Sequence, residues 1–245
     1  VLLLIPAWYT TIGPLLLASQ LEKIETTKYL NGTISQLGLG FDVPILMEQH
    51  IHTDGVKGDN VILKVEVITK RTDTNETLTD FSQNLTYVFN KFTRKNDPNA
   101  PDEYPDVNRT GYEPMYPSHL KYGENISNVW IETLSTNGTL EFKDRVVVDG
   151  VTLYKYSVNK TVTQLMDLPL GKNLNCTLTA TKTVLIEPLF GVFAYTENET
   201  LSIKLAKAVW LLVYLTYWDT DESKAEAIKT AKTAYDGMQL VELYI

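Results

Sequence analysis

Cysteine is nearly missing from this chain: Cys176 is the single one among 245 residues. One thiol forms no intrachain disulfide and supplies too few ligands for a structural zinc site. Small secreted domains usually depend on such staples, but a chain of this length can bury enough surface without them. Positive charge is also scarce. Lysine and arginine total 22 against 30 acidic residues, a formal net charge of −8, and no basic cluster reverses that sign locally. A negative surface repels phosphate, so nucleic acid is not expected as a partner.

Signatures of catalysis are lacking too. There is no Gly-x-Ser-x-Gly elbow, glycine-rich phosphate loop or His-Glu-x-x-His helix. Of the three histidines, His50 and His52 would share one face of a strand, as a two-ligand metal site requires. Spacing offers them no third ligand, and a solvated strand face explains them more simply. Asp144, Asp149 and Glu187 suit turns and strand edges better than a carboxylate pair. The expectation is therefore a protein that is not an enzyme, with no catalytic residue, no metal and no cofactor.

What is present points elsewhere. Hydrophobic residues make up 44% of the chain, enough for a core, and abundant threonine with 14 tyrosines suits strands. Nine of the 15 asparagines open an Asn-x-Ser/Thr acceptor motif: Asn31, Asn75, Asn84, Asn108, Asn125, Asn137, Asn159, Asn175 and Asn198. Chance would supply about two or three of a motif that is weak when single. Covalent N-linked glycans are expected at these sites. A glycan is bulky and hydrated, so each used site must face solvent, and the chain must cross a membrane to be modified.

Residues Val1 to Gln20 carry no charge. This apolar segment reads as the end of a membrane anchor, as a leftover signal sequence, or as a tail that inserts into a neighbouring subunit. Membrane lipid or identical subunits, engaged through Val1–Ala18, are the expected partners, with a homo-oligomer or polymer as one outcome. From Phe41 onward the pattern is β. Val61, Leu63, Val65 and Val67 alternate with Lys64 and Glu66, and Leu85, Tyr87 and Phe89 alternate with polar residues. Asn137-Gly138 and Asp149-Gly150 read as two-residue hairpin turns, and Glu187–Gly191 as a further turn. Proline-rich Asn96–Pro117 reads as a loop covering one end of the sheet or reaching a partner.

Parity refines the strands. If Asn175 faces water, Thr177, Thr179 and Thr181 share its face, and Cys176, Leu178, Ala180 and Val184 point inward. Asn159 likewise places Lys155 and Ser157 outside and Tyr154, Tyr156 and Val158 inside. Ala208–Leu215 is continuously apolar but too short to span a bilayer, which suits a buried central strand, with a buried helix as the competing reading. Asp219-x-x-Glu222 resembles a capping box, and Ala225, Ile228, Ala231, Tyr235 and Met238 follow at helical spacing. The expected architecture is mainly β: an antiparallel meander or sandwich-like ectodomain with an apolar N-terminal segment and a C-terminal helix. Its parts are an apolar segment over 1–22, a glycosylated β domain over 23–218, and the helix over 219–245.

Several patches, in order, resemble the PorA-like family of two-anchor surface proteins found in actinobacteria and archaea, a family of uncharacterised function. They are Leu15–Thr27, Tyr116-Pro117, Val129-Trp130, Val146–Tyr154 around its glycine-centred hairpin, Val184–Val192 with its Glu-Pro-x-x-Gly turn, and Thr216–Ala234. The resemblance implies membrane anchoring and a β ectodomain. The porin label does not carry over, because a membrane barrel needs a lipid-facing apolar band where these strands place acceptor motifs. The expected function is an extracellular, cell-surface glycoprotein of structural or interaction role, membrane-anchored through apolar terminal segments. A filament or lattice subunit assembled by strand addition of the N-terminal segment is the alternative, and a carrier of lipid or another apolar ligand the second alternative.

Overall fold

A computed structural model describes residues 18–36, 42–97, 99–100, 109–168, 171–191, 193–205 and 211–244. The apolar segment expected to anchor or insert lies, up to residue 17, outside the described residues. Ten strands make one antiparallel sheet: β1 (Glu25–Gln36), β2 (Val43–Lys57), β3 (Asn60–Arg71), β4 (Gln83–Asn90), β5 (Ile126–Ile131), β6 (Thr136–Val148), β7 (Val151–Leu168), β8 (Gly171–Ile186), β9 (Phe193–Leu205) and β10 (Leu211–Asp219). Their order is β4-β3-β2-β1-β10-β9-β8-β7-β6-β5, so every neighbour is consecutive in sequence except β1 and β10. This is the expected mainly-β meander. A helix, α1 (Asp221–Tyr244), follows the last strand.

The strand expected within Ala208–Leu215 is β10 from Leu211 onward, with residues 208–210 outside the described residues. It lies centrally between β1 and β9, but it is buried on one face only, since Leu215 is buried and Tyr214 exposed. β1 was not legible as a strand, because its inward positions Lys28, Leu30, Gly32 and Ile34 mix a charge and a glycine into the apolar set. Asp149 and Gly150 both adopt positive φ, 49° and 83°, and join β6 to β7 with Val148 opposite Val151, the expected two-residue hairpin.

Asn137-Gly138 is not a turn. Both residues lie inside β6, and the chain reverses earlier, through a 3₁₀ turn at Glu132–Leu134 followed by Ser135 at φ 47°. A Cβ at 138 would sit 2.5 Å from the terminal Cδ1 of Ile131, so a larger residue there requires that side chain to shift. The helix cap also moves by one residue. Thr220 Oγ1 accepts from Ser223 N at 3.2 Å, while Asp219 is buried and accepts from Thr196 N at 2.5 Å.

Burial follows the alternation. One core gathers the inward residues of β5–β9, among them Leu140, Tyr156, Leu178 and Val184. A second gathers those of β1–β4 with Leu215 of β10. Near one end the outer face of β7 and β8 is covered by α1, where Ile228 and Ala231 pack on Val151, Leu153 and Leu185.

The proline-rich connection from β4 to β5 does more than cover an end. Asp97 N donates to Val88 O on β4 at 2.8 Å, and Asn96 N to Gly111 O at 2.7 Å. Tyr112 N donates to Asn128 O at 2.9 Å, and Trp130 N on β5 donates back to Tyr112 O at 2.7 Å. Hydrogen bonds thus run unbroken from one edge strand to the other. Farther along, Tyr116 is fully buried in the first core and Met115 packs against the second, so this segment lies between them.

Candidate functional site: an uncharged face carrying acceptor asparagines

The outward residues of β7, β8, β9, β10 and β1 line up across the sheet. One row reads Asn159, Thr181, Thr200, Thr216, Thr33. The next reads Thr161, Thr179, Ser202, Tyr214, Ser35. On the other side, Ser157 pairs with Thr183, Thr183 with Asn198, and Trp218 with Asn31. Each of these fifteen side chains is at least partly exposed, and none is charged or aliphatic, although charged residues are 21% of the chain. Hydroxyls bond across the strands, Thr161 to Thr179 at 2.9 Å and Thr181 to Thr200.

Seven of the nine acceptor asparagines are exposed: Asn31, Asn75, Asn84, Asn125, Asn159, Asn175 and Asn198. Asn31, Asn159 and Asn198 belong to the uncharged face. Asn175 sits farther along β8, opposite Leu165. Asn75 occupies the β3–β4 connection at φ 58°, and Asn84 on β4 faces Glu66. Asn108 lies outside the described residues. The parity expected from Asn159 and Asn175 holds: Cys176, Leu178, Ala180, Val184, Tyr156 and Val158 are buried while both asparagines are exposed.

Two of the exposed carboxamides are held by their carbonyl oxygen. Asn125 Oδ1 accepts from Phe142 N at 2.9 Å, and Asn198 Oδ1 from Thr216 Oγ1 at 3.1 Å. Neither bond engages the nitrogen, to which a glycan is joined. Asn137 is the reverse case. It is half-buried, its Nδ2 donates to Thr110 Oγ1 at 2.5 Å, and its Oδ1 is buried with no hydrogen-bond partner among the described residues. Its neighbours Asn128, Thr139, Glu141, Asn159 and Lys160 line a polar cleft of about 450 Å³.

Of the histidine pair, His50 is engaged locally and His52 is exposed. His50 Nδ1 lies 3.1 Å from Thr27 Oγ1 and its Nε2 3.1 Å from Glu48 Oε1. Among the described residues, no group of three His, Cys, Asp or Glu side chains is placed to hold a metal ion. No helix among them is long and apolar enough to cross a membrane.

An interior ionic network went unread in the sequence. Lys182 occupies an inward position of β8 between Ala180 and Val184, and its Nζ lies 3.0 Å from Glu113 Oε1 and 3.5 Å from Glu199 Oε2. Tyr116 Oη donates to Glu113 Oε2 at 2.7 Å. Burial opposes the Lys182 charge, but Glu113 and Glu199 outweigh it and hold the ammonium well above its ordinary range. Burial pushes Tyr116 and Tyr217 well up as well. Nearby, burial lowers Lys28 to about 8 against the opposing pull of Asp219. Arg109 forms a second link, forked on Glu132 at 2.6 and 2.7 Å, donating to Thr86 O at 2.8 Å and lying 4.4 Å above the Tyr87 ring. The available signal was parity, since a lysine in an inward run must have partners there.

No family model matches the chain, and no curated protein matches it. Among solved structures, the crystal structure of the dehydratase domain from the terminal module of the rifamycin polyketide synthase aligns over 78% of this chain and 74% of that chain. The identity is 11% and the TM-score 0.14, which carries no argument about fold or activity.

Proposed function

We propose that this chain is the β ectodomain of an extracellular cell-surface glycoprotein with a structural or interaction role, anchored through apolar terminal sequence. The observation that carries this reading is the exposure of seven of the nine acceptor asparagines. A used motif must face solvent, and asparagine as such does not secure that here: of the six asparagines outside the motif, only Asn99, Asn128 and Asn173 are exposed. The resemblance to PorA-like two-anchor proteins supports the same location, and the wet, polar outer face argues against its use as a lipid-facing band.

Glycopeptide mass spectrometry of the native protein tests the reading. Glycans are expected on Asn31, Asn75, Asn84, Asn125, Asn159, Asn175 and Asn198, with Asn137 bare. Finding most of those seven unmodified would overturn it.

A filament subunit is the second reading, and it too has a specific support. β4 and β5 each have one strand neighbour, and among the described residues short pieces of the connecting loop bridge them. An apolar segment from another copy that displaced those pieces would gain main-chain hydrogen bonds and apolar burial together.

A further inference from the structure

We propose that Trp218 is a seat for the glycans of Asn31 and Asn198, whose first sugars lie across its indole face instead of standing free in solvent. This rests on the glycoprotein reading and adds a ligand-binding role for an exposed aromatic residue that the fold does not need for its core.

The register places the three groups together. Trp218 on β10 is the direct cross-strand partner of Asn31 on β1, which brings their Cβ atoms to about 4.5–5.5 Å. On the other flank of β10, Thr216, two residues before Trp218 on the same face, donates to Asn198 Oδ1 at 3.1 Å. That bond fixes the carboxamide by its oxygen and leaves its nitrogen for attachment. Trp218 therefore stands between two acceptor asparagines, one on each neighbouring strand.

The chemistry of the face matches a neutral sugar. Trp218 is 36% exposed, a large ring left in water on an otherwise hydroxylated surface. A pyranose presents an apolar C–H face and a rim of hydroxyls. The indole offers a flat apolar surface for the first, and Thr33 and Thr216 offer hydrogen-bonding groups for the second. None of the fifteen aligned positions carries a charge that would demand a counter-ion. A tethered sugar also meets the ring at high effective concentration, so a weak contact suffices.

Proton NMR of the native glycosylated protein is the test, beside Trp218→Ala and Trp218→Phe made in the same host. Glycopeptide analysis first establishes whether Asn31 and Asn198 are occupied. Sugar protons lying over an indole resonate upfield of their free-glycan positions. Those shifts are expected in the wild type, reduced in Trp218→Phe and lost in Trp218→Ala. Removing the two glycans by Asn31→Gln and Asn198→Gln is expected to lower Tm by about 2–4 °C in the wild type and by clearly less in Trp218→Ala, where only the Asn198–Thr216 bond is lost with them. Occupied sites without upfield shifts would overturn the stacking proposal and leave the glycoprotein reading standing. Bare asparagines at both positions would overturn both at this face.

Discussion

Lys182 occupies a position that alternation reserves for the core, and its stability contribution depends on keeping its charge. Glu113 and Glu199 are both largely buried, with 14% and 7% of their side chains exposed. Removing the ammonium would strand two carboxylates away from water, so Lys182→Met is expected to cost about 3–5 kcal/mol at pH 7. The sign of the pH dependence follows from the raised value. A lysine favoured in its charged form by folding contributes fully below its ordinary value of 10.5 and loses that contribution as pH rises through the higher folded value. Denaturant unfolding of both proteins should therefore show a gap at pH 7 that narrows as pH rises above about 10.5. A gap no narrower well above about pH 10.5 than at pH 7 would refute this account. Asn137 is the other residue whose behaviour departs from its motif. Its amide is spent on Thr110, which is why it is expected to stay bare while exposed Asn159 is modified.

Among the elements, the connection between β4 and β5 carries the most consequence. Proline spacing identified it as a loop, and that reading holds over the described part, since none of the ten strands falls between Asn90 and Ile126. What spacing missed is that a loop can supply the hydrogen bonds that sheet edges lack. Arg109 is its clamp, bound to Glu132 at one side and to the β4 backbone at Thr86 on the other. Arg109→Ala is expected to lower stability by about 1–3 kcal/mol by removing the forked partner of Glu132, which keeps its contacts to Trp130 and Tyr87. Limited proteolysis should then cut within residues 91–125 faster than in the wild type. Equal cleavage rates would mean that the backbone bonds alone hold the loop. Turn chemistry was read correctly at Asp149-Gly150 and wrongly at Asn137-Gly138. The same dipeptide type serves positive φ at the first and close packing under Ile131 at the second. Local sequence does not separate those two demands.

At the scale of the whole molecule, the sheet divides its labour by face. The inner face holds two apolar cores and the ionic network between them. The outer face is covered by α1 at one end, bears charged groups on β2 and β3, and is hydroxylated across β7 to β10 and β1, where three exposed acceptor sites lie. Whether the protein is anchored singly or assembles through its apolar N-terminal segment can be decided by sedimentation. A membrane-anchored protein is expected to remain with membranes until detergent is added and then to run as a monomer. A filament subunit would sediment without detergent, and deleting residues 1–17 would abolish that polymer. The anchored reading fails if the polymer persists in detergent and disappears with the deletion.

Sequence alone determined what depends on neighbouring residues along one strand. Alternation and the requirement that a used acceptor asparagine be wet fixed the inner and outer residues of β7 and β8, since side-chain direction in a strand has a period of two. Composition and charge narrowed the expected partners for the same local reason. The tertiary structure decided everything that depends on distant segments: the pairing of β1 with β10, the closure of the sheet by its proline-rich loop, and the meeting of Lys182 with Glu113 and Glu199. It also separated Asn137 from the other motifs, because its hydrogen-bond partner, Thr110, is 27 positions away. Such contacts are set by packing in three dimensions, and no period along the chain encodes them.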